Sequence, residues 1–347
     1  INKNFRYKGL IWLAINFGKT GLKLSPIGFG GIPIQRTTEN EAVAMVKRAV
    51  ELGVDFFDSA RGYTDSERKI GLGLKGGLRD KVVLATKTMA RTKQEMTAEI
   101  ETSLREFGTD YIDLYQCHNV RSEAEMETLI SPEGGLEALL AAQQAGKIRF
   151  IGLTGHKPEV LVKLLRQFPF VSIQFPYNYI EQQNKAELIE LAQELELGTI
   201  IMKPLAGGAI SNGDLALRFL LEKNLGVIIP GMDTMEQVEK NLALAREFKP
   251  LSERELAALA EEVKGLGDDF CRRCEYCLPC PAGINIPVMF MLDSYYTRYG
   301  LPQWARDRYA VTPVVASACT KCGKCEQKCP YSLTIREKLV TVHEHLG

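Results

Sequence analysis

The sequence predicts a (β/α)8 TIM barrel followed by a small, mostly helical domain rich in cysteine. Two observations lead there. From Asn16 to about residue 250, short runs rich in Val, Ile and Phe alternate with amphipathic helical patterns, giving eight strand–helix units in about 240 residues, the count and size of such a barrel. Beyond that stretch, eight of the chain's nine cysteines fall into two tight runs.

The strand candidates, in order, are 27–30, 54–59, 81–87, 111–118, 148–155, 171–178, 198–205 and 226–231. They are largely apolar and too short for helices, as parallel strands buried on both faces are. The helical segments between and after them are 38–52, 65–78, 93–107, 134–145, 158–167, 183–195, 212–222 and 234–248. The first opens on Thr38-Glu-Asn-Glu and stops at Gly53, a start and a stop signal. No G-x-G-x-x-G follows an early strand, which argues against a doubly wound open sheet. Gly30-Gly31-Ile32-Pro33 reads instead as a turn at the barrel mouth. The expected organisation is an N-terminal extension (1–15), the barrel (16–250), a charged, Ala-rich helical linker (251–269) and the cysteine domain (270–347).

Lys+Arg and Asp+Glu both total 43, so the formal net charge is zero, and no charge excess points to nucleic acid or a membrane surface as partner. No apolar run reaches the length of a membrane span. The extension has basic residues and a short apolar patch but no small-residue cleavage site. Free cysteines and oxygen-sensitive centres fit a reducing cytoplasm.

The first cysteine run is Cys271-x2-Cys274-x2-Cys277-x2-Cys280-Pro281, and the second is Cys319-x2-Cys322-x2-Cys325-x3-Cys329-Pro330. Thiolates are soft ligands suited to iron–sulfur clusters, and a proline after the fourth cysteine belongs to the bacterial ferredoxin pattern, in which that cysteine serves the other cluster. Two [4Fe-4S] clusters are therefore expected, one on Cys271, Cys274, Cys277 and Cys329, the other on Cys319, Cys322, Cys325 and Cys280. Zinc also takes paired C-x2-C, but usually as two pairs from distant loops rather than four in one run, twice. The segment between the runs, 282–318, is longer than in compact ferredoxins and has a helical stretch at 288–299, so the module reads as a helical ferredoxin-like domain.

Four polar residues stand at or just after strand ends, where a TIM barrel builds its active site: Asp58, Tyr63, Lys87 and His118. A lone histidine or lysine at a strand end is usually structural or solvated. Four converging residues are harder to read that way. Together with Gly18-Lys-Thr-Gly21, Ser66-Glu67, Gly226-Val-Ile-Ile-Pro-Gly231 and Gln237-x3-Asn241, they resemble the aldo-keto reductase family from Asn16 to about Phe248. The tail resembles that of the subgroup with an added ferredoxin-like domain. The resemblance implies an oxidoreductase interconverting a small-molecule carbonyl and an alcohol with NAD(P)(H), its tetrad falling on Asp58, Tyr63, Lys87 and His118. The chemistry is coherent. Hydride delivery to a carbonyl builds charge on its oxygen, a phenol of pKa near 10 needs a neighbouring cation to act as acid at neutral pH, and a further donor steadies the oxyanion.

The resemblance also implies nicotinamide contacts at Thr154 and Gln174, with Gly155-His156 where many members have Ser-Asn. Met202 stands where many members stack an aromatic ring on the nicotinamide, within Met202-Lys203-Pro204-Leu205, and Lys203 meets the pyrophosphate. Gly231 and Gln237 stand where NADPH-preferring members carry Lys and Arg, with Asp233 nearby and Asn241 retained, which implies a preference for NADH. Nicotinamide passes two electrons as hydride and a cubane passes one, and the chain has no recognisable flavin motif. The clusters are then expected to exchange electrons with a ferredoxin or other redox protein. The alternatives are an electron-transfer protein whose barrel is a docking scaffold, and a reductase whose clusters only hold the tail.

Overall fold

The computed structural model describes residues 5–7, 10–12, 14–182, 185–264, 271, 277–297, 300–329 and 332–347. Cys274, Pro330 and the end of the expected linker, 265–269, lie outside the described residues. The chain forms two compact units, residues 1–206 with 213–252, and residues 207–212 with 253–347.

The first unit is an eight-stranded parallel sheet with helices, a (β/α)8 fold. Its strands are Phe29–Gly30, Phe56–Asp58, Val83–Thr88, Ile112–Cys117, Ile148–Thr154, Ser172–Pro176, Gly198–Met202 and Val227–Ile228, each paired with its sequence neighbours. Each falls within an expected strand segment except the third, which runs one residue further. Bridges Ile27–Ile228 and Gly30–Gly231 join the last strand to the first. There the Gly28 N–H donates to the Ile228 carbonyl at 2.8 Å and the Ile228 N–H to that of Pro26 at 2.9 Å.

An antiparallel pair, Ile15–Asn16 with Lys23–Leu24, precedes the first barrel strand. Its turn carries Phe17, buried in one cluster with Leu24, with Phe56, Val83 and Val227, each the first residue of its barrel strand, and with Leu114 and Ile200, each the third of its own. This plugs the N-terminal end of the barrel. Gly198 is required there, because a Cβ at that position would meet the Phe17 ring at 2.6 Å.

Most helices follow their sequence signals. Capping boxes Thr38/Glu41 and Thr92/Glu95 open Glu39–Glu51 and Lys93–Phe107. The helix expected over 65–78 is shorter, Ser66–Gly73, and Gly76 and Gly77 beyond it take the left-handed φ values 79° and 78°. A helix not anticipated, Glu123–Ile130, is opened by the Ser122 hydroxyl accepting the Glu125 N–H. Its eight residues show little periodicity, so the cap was its main legible signal.

The second unit is helical. Glu253–Lys264, Ile286–Thr297, Pro302–Ala310 and Ile335–Leu346 are its longer helices, and its core includes Ile286, Met289, Leu292, Ala305, Leu339 and Val342. Among the described residues no helix is long and apolar enough to cross a membrane.

Candidate functional site

At the C-terminal ends of the barrel strands, a polar layer replaces the apolar interior. Asp58 ends the second strand and Lys87 lies near the end of the third, 2% and 1% exposed. The Lys87 ammonium donates to the Asp58 carboxylate at 2.5 Å and to the Ser59 carbonyl at 2.7 Å. Burial pulls the Lys87 ammonium below its ordinary range and pushes the Asp58 carboxyl above its own, and the ion pair opposes both. A second carboxylate, Glu67, also favours the charged form of Lys87. Glu67 accepts hydrogen bonds from Thr86 at 2.6 Å and Ser103 at 2.9 Å and pairs with Arg61.

The Lys87 ammonium lies 4.9 Å from the centroid of the Tyr63 ring, and that ring meets His118 edge-on with centroids 6.2 Å apart. Asp58, Lys87, Tyr63 and His118 are therefore brought together. Arg91 donates to the His118 carbonyl at 2.7 Å. Burial, then the nearby Lys87 and Arg91 charges, hold the His118 imidazole well below its usual pKa. At pH 7 the ring is neutral and offers a single N–H.

Sequence reasoning missed Gln116, which ties the layer together. Its amide donates to the Gln174 side-chain oxygen at 2.9 Å and reaches the Asp58 carboxylate at 3.4 Å. The available signal was position, two residues from Leu114 on the same face of the fourth strand. Gly152 leaves the space, since a Cβ there would meet the Gln116 Cγ at 3.0 Å.

Thr154 and Gln174 are buried and paired in register on adjacent strands. The Thr154 hydroxyl accepts the Asn119 N–H at 2.8 Å. His156, two residues further, places Nδ1 2.9 Å from the Asn119 side-chain oxygen. Met202 ends the seventh strand, followed by Lys203 in left-handed conformation, φ 56°, and by half-buried Leu205. The Lys203 ammonium is buried and has no hydrogen-bond partner among the described residues. A buried cation lacking a counter-charge at a barrel mouth suits a phosphate-bearing cofactor.

The glycine at 231 has a packing reason, because a Cβ there would lie 2.5 Å from the Pro33 Cγ, leaving no room for a longer side chain. Gln237 is engaged at its helix start, accepting the Asp233 N–H at 2.9 Å. Asp233 forms an ion pair with Arg36 from the first βα loop. Asn241 is half-buried on the helix Met235–Arg246.

In the second unit, Cys277 and Cys325 are buried, and Cys271, Cys280, Cys319 and Cys329 pack against the same small core. Cys322 is exposed, and no described cysteine is in a disulfide. The Lys324 N–H lowers the pKa of the Cys322 thiol, whereas burial raises that of Cys325. Among the described residues no three His, Cys, Asp or Glu side chains converge to hold a single metal ion. Six soft thiols packed on one apolar core, with a seventh at the surface, form a donor set suited to iron–sulfur clusters.

Residues 26–214 match the model of the aldo/keto reductase family, and residues 270–334 match that of a 4Fe-4S dicluster domain. L-galactose dehydrogenase from Arabidopsis thaliana is 30% identical over 305 residues, covering 72% of this chain and 94% of that protein. Among solved structures, the holo form of an aldo-keto reductase from Bacillus halodurans superposes with a TM-score of 0.61 at 26% identity, covering 72% of this chain and 95% of its own. An aldo/keto reductase from Klebsiella pneumoniae, solved with NADP and acetate, gives 0.59 at 25% identity, covering 72% and 94%.

Proposed function

The chain belongs to the aldo/keto reductase family, and from that premise we propose that it interconverts a small-molecule carbonyl and an alcohol with NAD(P)(H), coupled to two [4Fe-4S] clusters in its tail. The observation that carries the reading is the buried Lys87–Asp58 pair set beside Tyr63 and His118.

The nicotinamide, when bound, supplies or accepts a hydride. The chain's residues manage the accompanying proton and charge. Tyr63 gives its phenolic proton to the substrate oxygen during reduction and takes it back during oxidation. Lys87 stabilises the phenolate that results, and Asp58, Glu67 and the Ser59 carbonyl keep Lys87 charged and aimed. Neutral His118 donates its N–H to the same substrate oxygen. Thr154 and Gln174 would hold the carboxamide end of the cofactor, Met202 and Leu205 would flank it, and Lys203 would meet its pyrophosphate. Gly231, Gln237 and Asn241 would line the adenosine end. The two cysteine runs, with Cys280 and Cys329 exchanged between them, would hold the clusters, which would supply single-electron transfer.

The test is anaerobic incubation of the full chain with NADH or NADPH and a panel of aldehydes and ketones, following loss of the reduced nicotinamide. Cofactor consumption that depends on a carbonyl is expected. Consumption with none of them, alongside clusters still reducible by dithionite, would favour the scaffold reading.

Two further outcomes are expected. Protein made without oxygen should hold about eight irons and eight sulfides, and Cys329→Ser should damage the cluster shared with Cys271, Cys274 and Cys277. Zinc in place of iron rejects this assignment. NADH should bind more tightly than NADPH, because residue 231 has no space for a lysine and Asp233 places a carboxylate nearby. A charge-assisted contact missing at a 2′-phosphate is worth about 1.5–3 kcal/mol. Arg36 is the residue able to reverse the order, by leaving Asp233 for the phosphate. Tighter NADPH binding in calorimetric titrations would overturn the NADH preference.

A further inference from the structure

The second cysteine run is asymmetric. Cys325 is buried and Cys319 and Cys329 half-buried, while Cys322 is exposed. In the first run the described cysteines, Cys271, Cys277 and Cys280, are buried or half-buried. The backbone turns sharply on both sides of Cys322, with φ 57° at Lys321 and 72° at Gly323. Lys321, Lys324 and Lys328 are all exposed around it.

The local charge is one-sided. Glu326, the segment's one acidic residue, is taken by Arg336, whose backbone N–H and Nε donate to its two oxygens at 2.8 Å each. None of the three lysines makes an ion pair among the described residues. The tail as a whole leans the same way. Residues 271–347 carry ten Lys and Arg against six Asp and Glu, a surplus of four positive charges in a chain whose total is zero.

We infer that the exposed Cys322 corner is where single electrons enter and leave the tail, and that Lys321, Lys324 and Lys328 form the docking surface for an acidic one-electron carrier protein of the ferredoxin class. The inference rests on the proposed cluster at Cys319, Cys322, Cys325 and Cys280. One electron passes from the reduced carrier to that cluster, the carrier is oxidised by one and the cluster reduced by one, and no proton or bond is exchanged. Electron transfer falls steeply with distance, so a partner must approach a ligand at the surface, and Cys322 is the exposed one among the described cysteines. Clustered cations raise the encounter rate with an acidic partner by about 10–10³-fold, and salt removes the gain.

The test uses the full chain, purified anaerobically, and a reduced [2Fe-2S] ferredoxin of net negative charge as probe. Binding is measured by calorimetry and cluster reduction by stopped flow, at low and high salt. The Lys321→Gln/Lys324→Gln/Lys328→Gln variant should lose about tenfold or more in both at low salt and should lose its salt dependence. Its iron content, its electron paramagnetic resonance signals and its reduction by dithionite should match wild type. Lys324→Gln alone should show a smaller loss in the same direction, which covers the case of a triple variant that fails to fold. Unchanged binding and salt dependence would overturn the docking surface. So would a shifted cluster potential with binding intact, because the lysines would then act on the cluster alone. Wild-type protein without iron would instead overturn the cluster reading itself.

Discussion

Tyr63→Phe is expected to lower carbonyl reduction by about 10²–10⁴-fold, the worth of a positioned general acid, while leaving nicotinamide affinity within about twofold. The substitution is unusually clean here. The ring that lies 4.9 Å from the Lys87 ammonium and edge-on to His118 is kept, and only the hydroxyl goes. Packing and the cation–π contact survive, so a loss of turnover reports the proton and not the fold. Steady-state rates and a cofactor titration on the same preparation decide the matter. Retention of more than about a tenth of wild-type turnover would remove Tyr63 from the acid role.

Lys87→Met is expected to lose activity on a similar scale, about 10²–10⁴-fold, and also to lose stability. Removing one partner of a buried ion pair costs about 3–5 kcal/mol, because the other charge is left behind. The carboxyl left behind is Asp58, whose pKa burial already pushes up and Lys87 pulls down. Without Lys87 its folded value rises further above its unfolded value of about 3.9. A group with a raised folded pKa contributes stability that is present below the unfolded pKa and lost as pH rises through the folded one. The variant should therefore unfold progressively more easily as pH climbs from about 4 toward neutrality. Asp58→Asn added to Lys87→Met should restore much of the stability and none of the activity. A single variant whose stability does not respond to pH, or a double variant as fragile as the single, would mean that the pair is not the energetic unit described.

What was readable in advance follows from what each feature costs the chain. Strands buried on both faces must be apolar runs, so all eight were visible. Asp58, Lys87 and His118 stood out because ionisable side chains at the ends of such runs are expensive unless used. The supporting residues were not visible. Glu67 is legible only as part of a motif, and nothing local says that its carboxylate lies near Lys87. Arg36 and Asp233 are 197 positions apart, and neither neighbourhood hints at the other. Gly231 read as the loss of a lysine, whereas the Pro33 ring leaves no volume for one. These are properties of the closed barrel, which no local window contains.

The way the barrel closes also has a consequence for its synthesis. The first strand, Phe29–Gly30, is among the earliest barrel pieces made, yet one of its two flanks is met by residues 228–231. Until residues 228–231 have left the ribosome, that flank is an open edge, able to template pairing with another nascent chain. Long-range closure of this kind is slow even in a free chain. Chaperone dependence and aggregation should therefore concentrate in chains stalled or truncated before residue 228, and fall sharply in those carried past residue 231.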